Sequence, residues 1–432
     1  MRELTAAIAG LQEHESEQVK TDEVAFFRWE PVIYFYCLYF SIIWVGEIVH
    51  FNGASSLGAA LFLVFFYVKY WRFLFKLKAD LLMLCIILCL VLPLIPVISF
   101  DETMIIKAYQ ELIKYYALYF IILVGLSLPL TPLTQARRTW LLYSVILTFL
   151  LTGWLSAPLQ VSAPDMYTTS TRVKGYLVNG NVFALVAMVL LFLVDQDRTG
   201  KLVNGMNHAV ILFLIYLSHT SGAILGYAVG MLYRFIYGNR RFLIVRGMAV
   251  AVGIILAAII FVSIPPNTFK VVDDTTEKLN IAFDYIDRVR ANNVIDFYGI
   301  IERKGRDVTS AVWRLYYWNN ILKKFWDSSL DKILFGYGIG TMETVLGAKA
   351  HNDYLRFLFQ TGLIGLVLNM TIWGMLYRRM ELKYRWVVIM IAVFCVSENN
   401  YDNFPAMSML AFYMLGARRS PEEEIVALGE SP

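Results

Sequence analysis

Long apolar stretches recur along almost all of this 432-residue chain, and they limit what it can fold into. Inside a bilayer every backbone N–H and C=O must find its partner within the protein, so only helices or closed barrels cross it. A hydrocarbon core of ~30 Å takes roughly 20 apolar residues as helix and about 10 as strand. The runs here are too long for barrel strands. The chain therefore reads as all-α, a polytopic integral membrane helical bundle of about twelve spans. These fall near 31–49, 54–75, 81–99, 108–131, 140–160, 181–196, 203–219, 222–237, 244–264, 351–376, 386–397 and 403–416. Composition agrees: 58% of residues are hydrophobic and only 17% charged, with a mean hydropathy of +0.57. Soluble domains sit near 45–50% apolar and about 25% charged. Disordered, collagenous and disulfide-scaffold classes fall with that comparison.

The four cysteines, Cys37, Cys85, Cys89 and Cys395, all lie within apolar runs. Cys85 and Cys89 are one helical turn apart, a spacing open to metal, but small buried thiols are the simpler reading. No metal site and no cofactor are expected. A net charge of +4 says little about partners, and no nucleic-acid partner is expected.

Lys and Arg distribution sets the orientation, because short cytoplasmic loops carry the excess. One alternate set of loops holds Arg72, Lys76, Lys78, Arg137, Arg138, Arg198, Lys201, Arg234, Arg240, Arg241, Arg246, Arg378, Arg379, Lys383, Arg385, Arg418 and Arg419. The other set, including 51–53, the Thr220 turn and 398–403, is nearly free of them. Both termini are expected in the cytoplasm. The organisation is then a cytoplasmic segment 1–28, which lacks the pattern of a signal peptide, spans 29–264, a large outer loop 265–350, spans 351–417 and a cytoplasmic tail 418–432. A structureless loop as long as 265–350 is unusual. It contains two stretches of 3.6-residue periodicity, 278–290 and 312–326, so helices are expected there. Asp327, Ser328 and Ser329 should end the second, and Gly336, Gly338 and Gly340 should form a turn before the next span.

Charges next to a membrane cavity are costly and usually functional. On the outer side these are Lys107, Lys114, Arg172, Lys174, Arg303, Lys304, Arg306, Arg314 and Arg356. Of five histidines, His14 is in the N-terminal tail, His50 and His219 sit at outer helix ends, and His208 at an inner end. His351 begins a span on the outer side. The positive end of a helix disfavours imidazolium, and a neutral imidazole with an unperturbed pKa near ~6.5 suits proton abstraction. A histidine at a helix start is, taken alone, more often a simple interfacial residue. Arg356 has a competing reading as a residue snorkelling to the interface, and Lys107, Glu111 and Lys114 fall at spacings that allow mutual neutralisation. Asp273, Asp274 and Glu277 read as a solvated helix start rather than a cation site. Trp313, Tyr316, Tyr317 and Trp318 suit either an interface belt or stacking on sugar rings.

Taken together, these elements resemble a known family. Arg314-Leu-Tyr-Tyr-Trp318, then Phe335-Gly-Tyr-Gly-Ile-Gly340, then His351-Asn-Asp-Tyr-Leu355 followed by Gly362-Leu-Ile-Gly-Leu366, resemble the signature of the O-antigen ligase and O-antigen polymerase superfamily. There an arginine begins the amphipathic outer helix, a Gly-x-Gly turn follows, and His-Asn-x-x-Leu opens the next span. A second family element resembles Arg172-Val-Lys-Gly175 with Asn179-Gly-Asn181-Val-Phe-Ala184. The chain departs from the pattern at Thr220-Ser221-Gly222, where many members have Ser-Arg-Gly.

The resemblance covers about residues 165–370. It implies a GT-C-like membrane glycosyltransferase of the bacterial inner membrane with a helical periplasmic loop domain and a periplasmic active site. It further implies metal-independent transfer of glycan from undecaprenyl diphosphate to an acceptor hydroxyl. Partners would be the carrier-linked glycan, a lipid A-core acceptor and membrane lipid. His351 would be the general base, and Arg314 would steady the departing diphosphate, since its planar fork engages phosphate bidentately. Arg172, Lys174, Arg306, Asn352 and Arg356 would complete the substrate-binding set. Direct attack implies inversion, from an alpha-linked carrier to a beta product. Ligase is preferred over O-antigen or exopolysaccharide polymerase because one compact outer loop directly precedes the His-Asn motif. A lipid-linked glycan transporter is the reading from another class, and it would need charges or broken helices at mid-depth.

Overall fold

The computed structural model describes residues 54–74, 80–96, 102–127, 180–194, 201–218, 220–237, 280–289, 291, 295–297, 299–300, 306–401 and 403–417. The regular elements among them are helices. In chain order they are α1 (Ala54–Leu74), α2 (Leu81–Val91), α3 (Glu102–Ser127), α4 (Gly180–Val194), α5 (Lys201–Leu217) and α6 (Ser221–Tyr237). Then come α7 (280–289), α8 (Arg306–Trp326), α9 (Leu330–Phe335), α10 (Met342–Leu346), α11 (Asp353–Arg379), α12 (Arg385–Phe394) and α13 (Phe404–Gly416). The expected spans 31–49, 140–160 and 244–264 lie outside the described residues, as do Cys37, His14, His50 and His219. Among the described residues one helix, α11, is long and apolar enough to cross a membrane; residues Ser56–Phe65, Leu81–Leu94 and Ala406–Leu415 form shorter apolar helices.

Local chemistry explains where several helices begin. Asp80 accepts a hydrogen bond at Oδ1 from the Met83 N–H, 2.8 Å away, and caps α2. Asn403 caps α13 in the same way through Ala406 at 3.2 Å, with Pro405 in the first turn, where the missing N–H costs nothing. Asn352 caps α11, its Oδ1 accepting from Leu355 N–H at 3.0 Å.

One large core joins α1 through α6 with α11, α12 and α13, and Phe62, Tyr119, Phe183, Trp386, Phe394 and Phe404 are fully enclosed in it. The three cysteines described, Cys85, Cys89 and Cys395, are buried here, as their apolar surroundings predicted. The α6–α12 contact depends on small residues. A Cβ placed on Gly226 would lie 2.6 Å from the Met390 carbonyl oxygen, and one on Gly230 2.7 Å from the Met390 Cβ. Spaced four apart, these two glycines let the helix backbones approach where a side chain would separate them.

The apolar run expected as a span over 351–376 forms a helix with a break inside it. It begins at Asp353 and breaks at Gly362 (φ 67°, ψ −174°). The break releases the carbonyls of Phe359 and Gln360 from the helical ladder. They accept instead from the N–H groups of Tyr337 and Gly338, both at 2.9 Å. Tyr337 stacks on Phe359 with ring centroids 4.3 Å apart. Gly336 lies so close that a Cβ there would sit 2.3 Å from the Gln360 oxygen. The glycine turn predicted at 336–340 thus forms, with positive φ at all three glycines, and it supports the bend in α11.

Candidate functional site

Helix α8 is the platform of the site. The helix expected over 312–326 forms, and it buries two apolar faces. Val312, Leu315 and Tyr316 join Ile281, Val289, Ile295 and Ile300 in one small core. Trp313, Tyr317, Trp318 and Ile321 join Met342, Ala350 and Phe359 in another. The second face grips the stretch that leads to His351. Trp318 Nε1 donates to the Ala350 carbonyl at 2.7 Å, and the Tyr317 hydroxyl bonds the Ala348 carbonyl while accepting from the Ala348 N–H at 3.1 Å. Burial pushes the Tyr317 phenol up to about 12, against the opposing pull of the Ala348 bond, so it stays a donor.

Held in this way, His351 stands just outside α11 in the left-handed region (φ 47°). Its side chain is 39% exposed. Nδ1 lies 3.1 Å from Oε2 of Glu398, whose other oxygen, Oε1, accepts from Arg314 Nη2 at 2.8 Å. Glu398 is 8% exposed and Arg314 28%. One carboxylate therefore holds the imidazole and the guanidinium that sequence reasoning had singled out. An ionised carboxylate only accepts, so Nδ1 carries a proton, and in the neutral ring this tautomer leaves the lone pair on Nε2. The bond to Glu398 uses one of the five N–H donors of Arg314. Trp313 presents an edge-to-face contact to the His351 ring at 5.6 Å and stacks on Tyr317 at 4.9 Å.

Sequence reasoning gave Glu398 no role. The available signal was that it is one of two acidic residues, with Asp402, in a loop nearly free of Lys and Arg, assigned to the same side as His351. The loop itself is anchored by Asp353. Its Oδ2 accepts from the N–H groups of Asn400 and Tyr401 at 2.8 and 3.0 Å.

The other expected site residues are placed differently. Arg356 pairs with Glu111 of α3. Its side chain is 11% exposed and donates from Nη2 to Glu111 at 3.3 Å and from Nε to Gln360 at 3.2 Å. Lys114 reaches the other Glu111 oxygen at 3.2 Å, so the neutralisation considered there occurs between Glu111 and Lys114, with Arg356 as a further cation. Asn352 is buried and serves as the α11 cap described above. Arg306 is the first residue of α8. Arg172 and Lys174 lie outside the described residues. Beside Ser221, where the resemblance lacks its arginine, Thr220 Oγ1 donates to Asn181 Oδ1 at 3.1 Å, joining the starts of α6 and α4.

Residues 206–370 match the family model described as O-antigen ligase. Over those residues the chain is similar to the O-antigen ligase family, a match that supports the superfamily resemblance. The matched stretch contains Arg314 and His351, while Glu398 lies beyond its end. Members of the O-antigen ligase family are membrane-associated, glycosyltransferase-like enzymes whose general partners are lipid-linked glycan and lipid A-core. The family does not separate ligase from polymerase. A comparison with curated proteins gave no match.

Proposed function

We propose that this protein is an inverting, metal-independent glycosyltransferase. It moves O-antigen from undecaprenyl diphosphate to a hydroxyl of lipid A-core at the periplasmic face of the inner membrane. The proposed topology has about twelve spans, both termini in the cytoplasm and the 265–350 loop outside.

The observation that carries this reading is the Glu398 carboxylate shared by His351 and Arg314. With Nδ1–H committed to Glu398, Nε2 accepts the proton of the attacking hydroxyl as oxygen bonds to the anomeric carbon. Glu398 then steadies the imidazolium, and a correctly placed base of this kind contributes roughly 10²–10⁴-fold. As the anomeric C–O bond breaks, negative charge grows on the diphosphate. The open N–H donors of Arg314 meet it, and stabilisation of developing charge is usually the largest catalytic contribution. Arg172, Lys174 and Arg306 are proposed as further phosphate contacts. Asn352 and Arg356 are assigned to holding α11 rather than to the substrate.

The deciding experiment supplies isolated membranes containing the protein with carrier-linked glycan, with and without lipid A-core. Transfer that requires lipid A-core is expected. Chain elongation without it would replace the ligase assignment by polymerase, and vesicle transport with no new glycosidic bond would replace both.

A further inference from the structure

We infer that Asp353 is a positioning residue for glycan transfer, fixing the spacing between Glu398 and His351; this rests on the general-base reading above. Asp353 is 3% exposed and stands two residues after His351. Its backbone N–H donates to the Cys395 carbonyl at 2.9 Å, and its Oδ2 accepts from Asn400 N–H at 2.8 Å and Tyr401 N–H at 3.0 Å. Glu398 lies between those anchors. Both ends of the short segment bearing the carboxylate are thereby tied to a single residue beside the base.

The residue type suits the task. Two N–H groups converging on one anionic oxygen form charge-assisted bonds, which are shorter and stronger than neutral ones. The first turn of α11 favours a negative charge there. Arg356 Nη1, 3.9 Å from Oδ1, offsets the cost of burying that charge. This assigns a purpose to the third residue of the His-Asn-Asp run. It acts by holding the main chain on either side of Glu398.

The test uses full-length protein in proteoliposomes, with carrier-linked glycan and lipid A-core as substrates. Asp353→Asn and Asp353→Ala are compared in the wild-type background, and Asp353→Ala also in a Glu398→Gln background. Rates are taken per folded molecule, the folded fraction being read by size-exclusion chromatography. Asp353→Ala should lower kcat about 100-fold with KM for both substrates within about twofold. Asp353→Asn, which keeps a neutral acceptor, should recover about a tenth of wild-type kcat. In the Glu398→Gln background the same alanine change should cost less than about threefold, because residues acting as one unit are not additive. An undiminished loss in that background, a loss confined to KM, or a lower folded fraction with unchanged kcat would each overturn the inference. Near-wild-type turnover by Glu398→Gln alone would overturn the general-base reading, and this inference with it. The two failures are thus read from different variants.

Discussion

Trp318 donates its indole N–H to the carbonyl of Ala350, the residue immediately before His351, at 2.7 Å. Because His351 has left-handed backbone geometry, its ring direction depends on how firmly residue 350 is held. Trp318→Phe keeps most of the packing and removes the donor, a loss of about 1 kcal/mol for such a bond. Transfer should fall about fivefold with little change in the folded fraction, as measured by initial rates beside a thermal melt.

Removing the proposed base should be far more severe. His351→Ala is expected to abolish transfer while expression and chromatographic behaviour stay normal. Arg314→Lys should also lose most activity, since a point charge cannot reproduce the planar fork. Activity close to wild type in either variant would remove that residue from the mechanism.

Glu398→Gln tests the carboxylate separately. The amide offers its own N–H groups, so it competes for the tautomer of His351 and gives up the charge that steadies imidazolium. A kcat loss of about 10²–10⁴-fold is expected, comparable to losses when the orienting acid of a base is neutralised. Single-turnover transfer rates would measure it, and a loss below about threefold would count against the assignment.

A different kind of variant probes α6 and α12. Gly226→Ala introduces a Cβ 2.6 Å from the Met390 carbonyl, a backbone atom that cannot move aside cheaply. Overpacking of this sort costs about 1–3 kcal/mol. The melting temperature in detergent should drop, with the catalytic rate per folded molecule little changed.

Glu111→Gln should behave similarly. It withdraws the anion that Arg356 and Lys114 share in a partly buried setting, and leaving charges without compensation there costs about 1–3 kcal/mol. Stability should fall first, whereas a selective rise in KM for carrier-linked glycan would return Arg356 to the substrate site.

The readable parts of the sequence were local. Helix α8, its end near Asp327 and the 336–340 glycine turn follow from periodicity and backbone preference within a few residues. His351 and Arg314 stood out through scarcity of histidine and the family resemblance. What brings them together was not readable, because Glu398 lies 47 residues from one and 84 from the other. The partner of Arg356 was hidden for the same reason, Glu111 being 245 residues away. The break at Gly362 escaped notice because a glycine in an apolar run does not announce whether it continues or interrupts a helix. Its outcome depends on Tyr337 and Gly338, which come from another part of the chain.

The bend in α11 affects where such a fracture can sit. Oxygens stripped of their ladder partners would normally demand water, which confines irregular main chain to wet surroundings. Here amides borrowed from residues 337 and 338 take water's place, so the hinge tolerates an oily setting, and the glycine turn becomes a structural splint for the very helix whose threshold bears the imidazole.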